Sequence, residues 1–171
     1  FSKKKRTDKE NKIFKIRNEI QNECIAFAKN EVGIYRLSIP TGGGKTLSGL
    51  SYALAFAKEH PGTERIFYIA PFISVIEQNV DVIKKAVGND EWVLEHHSSV
   101  IRENEMDDKN VWTDFSWEEP FVCTTFVQFM NTLFSDKKQA IRRMHRLANS
   151  VIIIDEVQAM PVKCVYTFNY M

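Results

Sequence analysis

Cysteine, glycine and proline are all scarce in this 171-residue chain, which has three, seven and five of them. Cys24, Cys123 and Cys164 stand far apart, cannot all pair, and include no C-x-x-C spacing. That excludes a disulfide framework and argues against a zinc ribbon or dithiol redox motif. Buried thiols in a reducing, prokaryotic cytoplasm are the expectation. No apolar run approaches the ~20 residues of a membrane-spanning helix, and the N-terminus lacks the apolar stretch of a signal peptide. The chain begins with Phe1 rather than Met, so it is expected to be a piece of a longer protein. Charge of one sign is lacking too, since the net value is +1. Residues 1–17 alone carry +6, which leaves −5 for the rest. That balance does not advertise nucleic-acid binding. The basic run reads first as a flexible linker over residues 1–12. The remaining length, 13–171, suits one domain with a real core.

Of the seven glycines, three are consecutive. They lie in Pro40-Thr41-Gly42-Gly43-Gly44-Lys45-Thr46, which joins an apolar run (Ile34 to Ile39) to a helical pattern (Leu47 to Lys58). A strand, a glycine loop and a helix start place backbone N–H groups where they cradle a triphosphate. The glycines let the backbone curl around phosphate oxygens. Lys45 is suited to the β/γ-phosphates and the Thr46 hydroxyl to Mg²⁺. In the pattern G-x-x-x-x-G-K-[ST] the first position is small; here it is Ile39.

Along the chain, apolar residues from Ile13 to Ala28 recur at helical spacing. Ile34–Ile39 is expected to be a first strand and 65–70 a second, with a helix from about Ser74 to Val87 between the second and a short third strand at Trp92–Leu94. Residues 102–119 are acidic and aperiodic, an excursion whose Trp112, Phe115 and Trp117 pack back onto the core. Phe121–Cys123 is a fourth strand, followed by helices through Phe134 and from Lys137 to Leu147. Strands alternating with helices imply an α/β fold, a mostly parallel sheet with helices on both faces.

The last strand is Val151-Ile152-Ile153-Ile154, and it ends in Asp155-Glu156. Four β-branched residues ending in carboxylates indicate a buried parallel strand delivering acids to its ligand-binding edge. In a phosphate-loop protein Asp155 serves the magnesium shell with Thr46, and Glu156 is placed to orient or deprotonate the attacking water. No N-K-x-D is present to read guanine, since the single Asn-Lys, Asn11-Lys12, precedes the loop and lacks the Asp. ATP hydrolysis is the better reading.

The loop form Pro-Thr-Gly-x-Gly-Lys-Thr resembles that of superfamily 2 helicases. Asp155-Glu156-Val157-Gln158 is similar to their D-E-x-H/D box. Added to these are the segments 70–78 (Ala-Pro-Phe-Ile-Ser-Val-Ile-Glu-Gln), 94–99 (Leu-Glu-His-His-Ser-Ser) and 123–129 (Cys-Thr-Thr-Phe-Val-Gln-Phe). The ordered set resembles the CRISPR-associated helicase-nuclease of type I systems from about Ile16 to Asn169. The resemblance implies a RecA-like P-loop domain, the first motor lobe of an ATP-dependent 3′-to-5′ helicase on single-stranded DNA. A guide-RNA surveillance complex would recruit it to degrade invading DNA in antiviral defence. Gln21, with Arg17 one turn before it, would read adenine. Thr41, Gly42, Gly43, Gly44, Lys45 and Thr46 would hold the phosphates. Pro71, Phe72, Ser74 and Gln78, then Thr124, Thr125 and Gln128, would contact the strand backbone, and Gln158 would couple ATP state to motion. Ser and Thr before helices are also ordinary caps. His96 and His97 have no Cys or further His at ligand spacing, so a strand-path motif or a plain loop is expected there.

No His-Asp dipeptide occurs, so the family's HD-type nuclease site is expected elsewhere, fused or separate. The second RecA-like domain, with its arginine finger, is likewise expected outside these residues. This piece alone is expected to bind ATP weakly and not to hydrolyse it usefully. The readings that stay open are an RNA or DNA-repair helicase of superfamily 2, a P-loop ATPase indifferent to nucleic acid, and an inert scaffold.

Overall fold

The computed structural model describes residues 7–98, 116–160, 162, 164 and 165. The chain divides into two compact units, 1–61 and 62–171, each of which is described by itself.

The first unit holds α1 (Asp8–Phe27) and α2 (Lys45–Glu59). Helix α1 starts five residues before the apolar period does, inside the stretch expected as a linker. Its cause is a capping box: Thr7 Oγ1 accepts from Glu10 N, and the Glu10 carboxylate accepts from Thr7 N at 2.7 Å. Helix α1 packs along α2, burying Cys24 and Ala28, while α2 buries Leu50, Ala53 and Phe56. Phe27 meets Tyr35 edge-on, with ring centroids 4.9 Å apart. Residues 34–39 were expected to form a strand, but they pair with no strand among the described residues. Ile34 is 98 % exposed. A short apolar run lacks the hydrogen bonds of a ladder by itself, and only a neighbouring strand supplies them.

The second unit is a parallel four-stranded sheet: β1 (Arg65–Ala70), β2 (Val93–His96), β3 (Phe121–Thr125) and β4 (Ser150–Ile154), in the order β2-β3-β1-β4. Its helices are α3 (Ile73–Val87), α4 (Phe126–Phe134) and α5 (Lys138–Arg146). Register aligns Ala70 with Thr125 and Ile69 with Ile154, so the carboxyl ends of β3, β1 and β4 lie level. On one face Phe67, Ile69, Leu94 and Val122 pack with Phe126, Phe129 and Met130 of α4. On the other lies α3, burying Ile76, Val80 and Ile83. The expected α/β class, a parallel sheet clothed on both faces, is what forms. β4 differs from its expectation. Its partner among the described residues is β1 alone, so it is an edge strand, and Ile152 is 39 % exposed rather than buried.

Trp117 does pack into the core as expected, fully buried, whereas Trp112 and Phe115 lie outside the described residues. Its ring sits 5.3 Å from Phe67 and edge-on to His96 at 5.7 Å, with the Arg143 guanidinium 5.4 Å from its centroid. Burial, aided by Arg143 and then His97, drives the His96 pKa from 6.5 down to about 3. Between those values the unfolded chain binds the proton and the folded chain does not. The stabilisation is therefore complete above pH 6.5 and lost as pH falls toward 3. Urea unfolding near pH 5 should show a loss on the order of 2 kcal/mol relative to pH 7.5, and His96→Gln should lack that component. Equal pH sensitivity in the two proteins would remove His96 as its source.

Candidate functional site

The first unit presents the phosphate-type loop. Gly42 and Gly44 have φ of 79° and 87°, the left-handed region that glycine enters without strain. Gly43 is required for a different reason. A Cβ there would lie 2.4 Å from Ile39 Cγ2 and 2.9 Å from the Pro40 carbonyl oxygen. Ile39, the departure from the usual small residue, is thus buried against the one loop position that has room for it. The Gly43 N–H donates to the Pro40 carbonyl at 2.9 Å, closing the turn. Gly44 begins α2 without any side-chain cap, and a helix N-terminus of this kind favours an anion through its dipole and backbone N–H groups. Lys45 and Thr46 are half-buried in this first turn, and Thr41 is exposed before it.

Arg17 reaches from α1 and donates through Nε (3.0 Å) and a terminal nitrogen (2.6 Å) to the Gly42 carbonyl. Its guanidinium therefore braces the loop from behind. Gln21 follows one turn later on α1 and is half-buried. The loop conformation and its uncapped helix fit a triphosphate. The hydroxyl of Thr46 is a hard oxygen donor of the kind Mg²⁺ takes.

The second unit presents the carboxylates. Asp155 continues the β1–β4 ladder, its N–H donating to the Ile69 carbonyl at 2.8 Å. Its carboxylate is held on both sides: the Tyr68 hydroxyl donates to Oδ2, and the Glu156 N–H donates to Oδ1 at 2.9 Å. Asn79 Nδ2 donates to the Tyr68 hydroxyl at 2.9 Å, so a relay from α3 through β1 fixes the acid at the end of β4. Glu156 stands at φ 48°, a left-handed position for a residue with a Cβ, which costs on the order of 1 kcal/mol. It opens a 3₁₀ turn, Val157–Ala159, and Gln158 donates from Nε2 to its carboxylate. Gln158, expected to couple ATP state to motion, is thus in contact with the Glu156 carboxylate.

Tyr68 and Asn79 were not singled out in the sequence, where they read as a buried strand residue and a helix polar residue. Adjacent register of β1 and β4 was the signal that could have found Tyr68. Tyr68→Phe is expected to lower stability by about 1–3 kcal/mol in urea unfolding. A change within about 0.5 kcal/mol would show that the phenol adds nothing beyond solvent.

The remaining predicted residues gather at the same sheet edge. Pro71 and Phe72 follow β1, and Ser74 and Gln78 lie on the exposed side of α3; Phe72 is 56 % exposed. Thr124, Thr125 and Gln128 follow in step at the end of β3 and the start of α4. Of these, Thr124 does not reach the surface. It is fully buried, and its hydroxyl donates to the His96 carbonyl at 2.8 Å. Thr125 Oγ1 accepts from the Gln128 N–H at 3.4 Å, so it caps α4. At the opposite edge a cleft of about 510 Å³ is lined by Arg65, Arg142, Arg146, Glu64 and Glu118. Arg65–Glu64 (2.6 Å) and Arg146–Glu118 (3.1 Å) are ion pairs across or beside it.

Residues 18–168 match the family described as DEAD/DEAH box helicase. The chain is also similar to the CRISPR-associated nuclease/helicase Cas3 of Haloferax volcanii, with 28 % identity over 150 residues. That similarity covers 75 % of this chain and 16 % of the relative, so the chain spans about a sixth of that protein's length. The relative's name is that of the family the ordered motifs resemble. No described helix is long and apolar enough to cross a membrane.

Proposed function

The chain belongs to the DEAD/DEAH box helicase family, and from that premise we propose that it is the ATP-binding first lobe of a motor that translocates on single-stranded DNA in the 3′-to-5′ direction. Its setting, in this reading, is CRISPR defence, with a guide-RNA surveillance complex, a nuclease and a second RecA-like domain as partners. The observation that carries the ATPase reading is Asp155, held by Tyr68 and followed by Glu156 at the carboxyl end of β4.

Lys45 and the N–H groups from Gly42 to Thr46 bind the triphosphate, and Arg17 keeps the loop in shape. Thr46 and Asp155 each offer an oxygen donor suited to magnesium, which when bound neutralises charge on phosphate oxygens. Glu156 accepts the proton of the attacking water, and Gln158 keeps its carboxylate oriented. Gln21 reads the adenine edge, since an amide both donates and accepts. Ser74 and Gln78, with Phe72 exposed beside them and Gln128 at the next strand end, offer contacts to a nucleic-acid backbone without reading bases, while buried Thr125 caps the helix that carries Gln128. Thr124 supports that surface from beneath, through His96.

The test is ATP turnover by the full protein with single-stranded DNA, with RNA and without nucleic acid. Stimulation by DNA that Lys45→Ala abolishes is the expected result. Stimulation by RNA instead would move the chain to the RNA helicases. Turnover indifferent to both would make it a P-loop ATPase of another kind.

A further inference from the structure

We propose that Glu77, Glu95 and His97 form a binding site for a divalent transition cation of the Mn²⁺ or Zn²⁺ kind. Alternation along β2 points Glu95 to one side and His96 to Trp117 on the other, and His97, in the bend just past the strand, meets Glu95. Helix α3 packs against β2 and brings Glu77 to the same place. One ligand atom from each of the three lies within 4.8 Å of the other two. His97 Nε2 and Glu95 Oε1 are 2.8 Å apart, in hydrogen-bonding contact, so an ion would replace that bond and part the two donors slightly. With bond lengths of 2.0–2.2 Å, donors on a shared ion stand at most about 4.4 Å apart. The exposed Glu77 side chain is free to close whatever gap remains.

Two further observations favour a cation over a plain ion pair. His97 is 1 % exposed, and its Nε2 is in contact with the Glu95 carboxylate. A buried imidazole is thus aimed at the cluster. In addition, Glu77 has no cationic partner among the described residues, although it stands beside a second carboxylate. One histidine can offset at most one of two carboxylates, and a divalent ion offsets both. The mixed nitrogen and oxygen donors suit Zn²⁺ or Mn²⁺ better than Ca²⁺ or Mg²⁺, which take oxygen alone. Three protein donors leave a position for water, and exposed Glu77 marks the side of entry.

This site stands whether or not the chain turns over ATP, and its test omits nucleotide. The metal-stripped full protein is titrated with Mn²⁺, read by electron paramagnetic resonance, and with Zn²⁺, read by thermal shift. One bound ion per chain is expected, with affinity at least about tenfold weaker in Glu77→Gln and in Glu95→Gln. Glu77 is exposed, so its variant folds even if substitutions at buried His97 do not. Absence of a bound ion, or unchanged affinity in both Glu variants, would overturn the proposal.

Discussion

Glu156→Gln should lower ATP turnover by about two to four orders of magnitude, the usual contribution of a positioned general base, while ATP binding and folding persist. The substitution keeps length and shape. Its amide oxygen still accepts from Gln158 Nε2, and the Glu156 N–H that holds Asp155 Oδ1 is main chain and unaffected. Only the proton-accepting carboxylate is lost. Steady-state turnover by the full protein, beside a thermal shift with ATP and Mg²⁺, separates the two outcomes. Turnover within a few-fold of the unsubstituted protein, with the shift intact, would assign the water-activating role elsewhere.

The second large effect concerns stability. Trp117→Ala is expected to cost about 3–5 kcal/mol in urea unfolding, the range for a large aromatic removed from a core. Three neighbours lose their contact surface together: Phe67, the His96 ring and the Arg143 guanidinium. The cation–π part alone is worth about 0.5–2 kcal/mol. Trp117 sits at φ 53°, and alanine, which keeps a Cβ, leaves that backbone strain in place. Trp117→Phe, which keeps a ring in place, should lose less. A loss below about 1 kcal/mol for the alanine variant would show that the site collapses freely, contrary to its full burial.

Much of the architecture was legible because its signals are local. Arg65 leads a continuous apolar run, Ile66 to Ala70, between a Pro61-Gly62 turn and Pro71, and β1 spans Arg65–Ala70. The glycine loop declared itself through three adjacent glycines and Lys45-Thr46. The capping box at Thr7 was equally local, but the charge of the surrounding run obscured it. Residues 34–39 failed as a strand because a strand is made by its neighbours. The same reason applies to β4, whose sequence states apolar character but not its place at an edge. Trp117 could be assigned to the core, whereas its packing against Arg143 could not, since 26 residues separate them.

The sequence by itself determined the chemistry this chain carries. Glycine is the residue that enters left-handed loop positions without strain, lysine and threonine follow it at a helix start, and β-branched runs deliver carboxylates to a strand end. Those are properties of residue types and short spacings. Tertiary structure alone decided which side chains hold the chemistry in place. The phenol of Tyr68 meets Asp155 across 87 positions, and Glu77 meets Glu95 and His97 because α3 packs on β2. Such contacts depend on strand order and register, which arise from burial shared over the whole sheet.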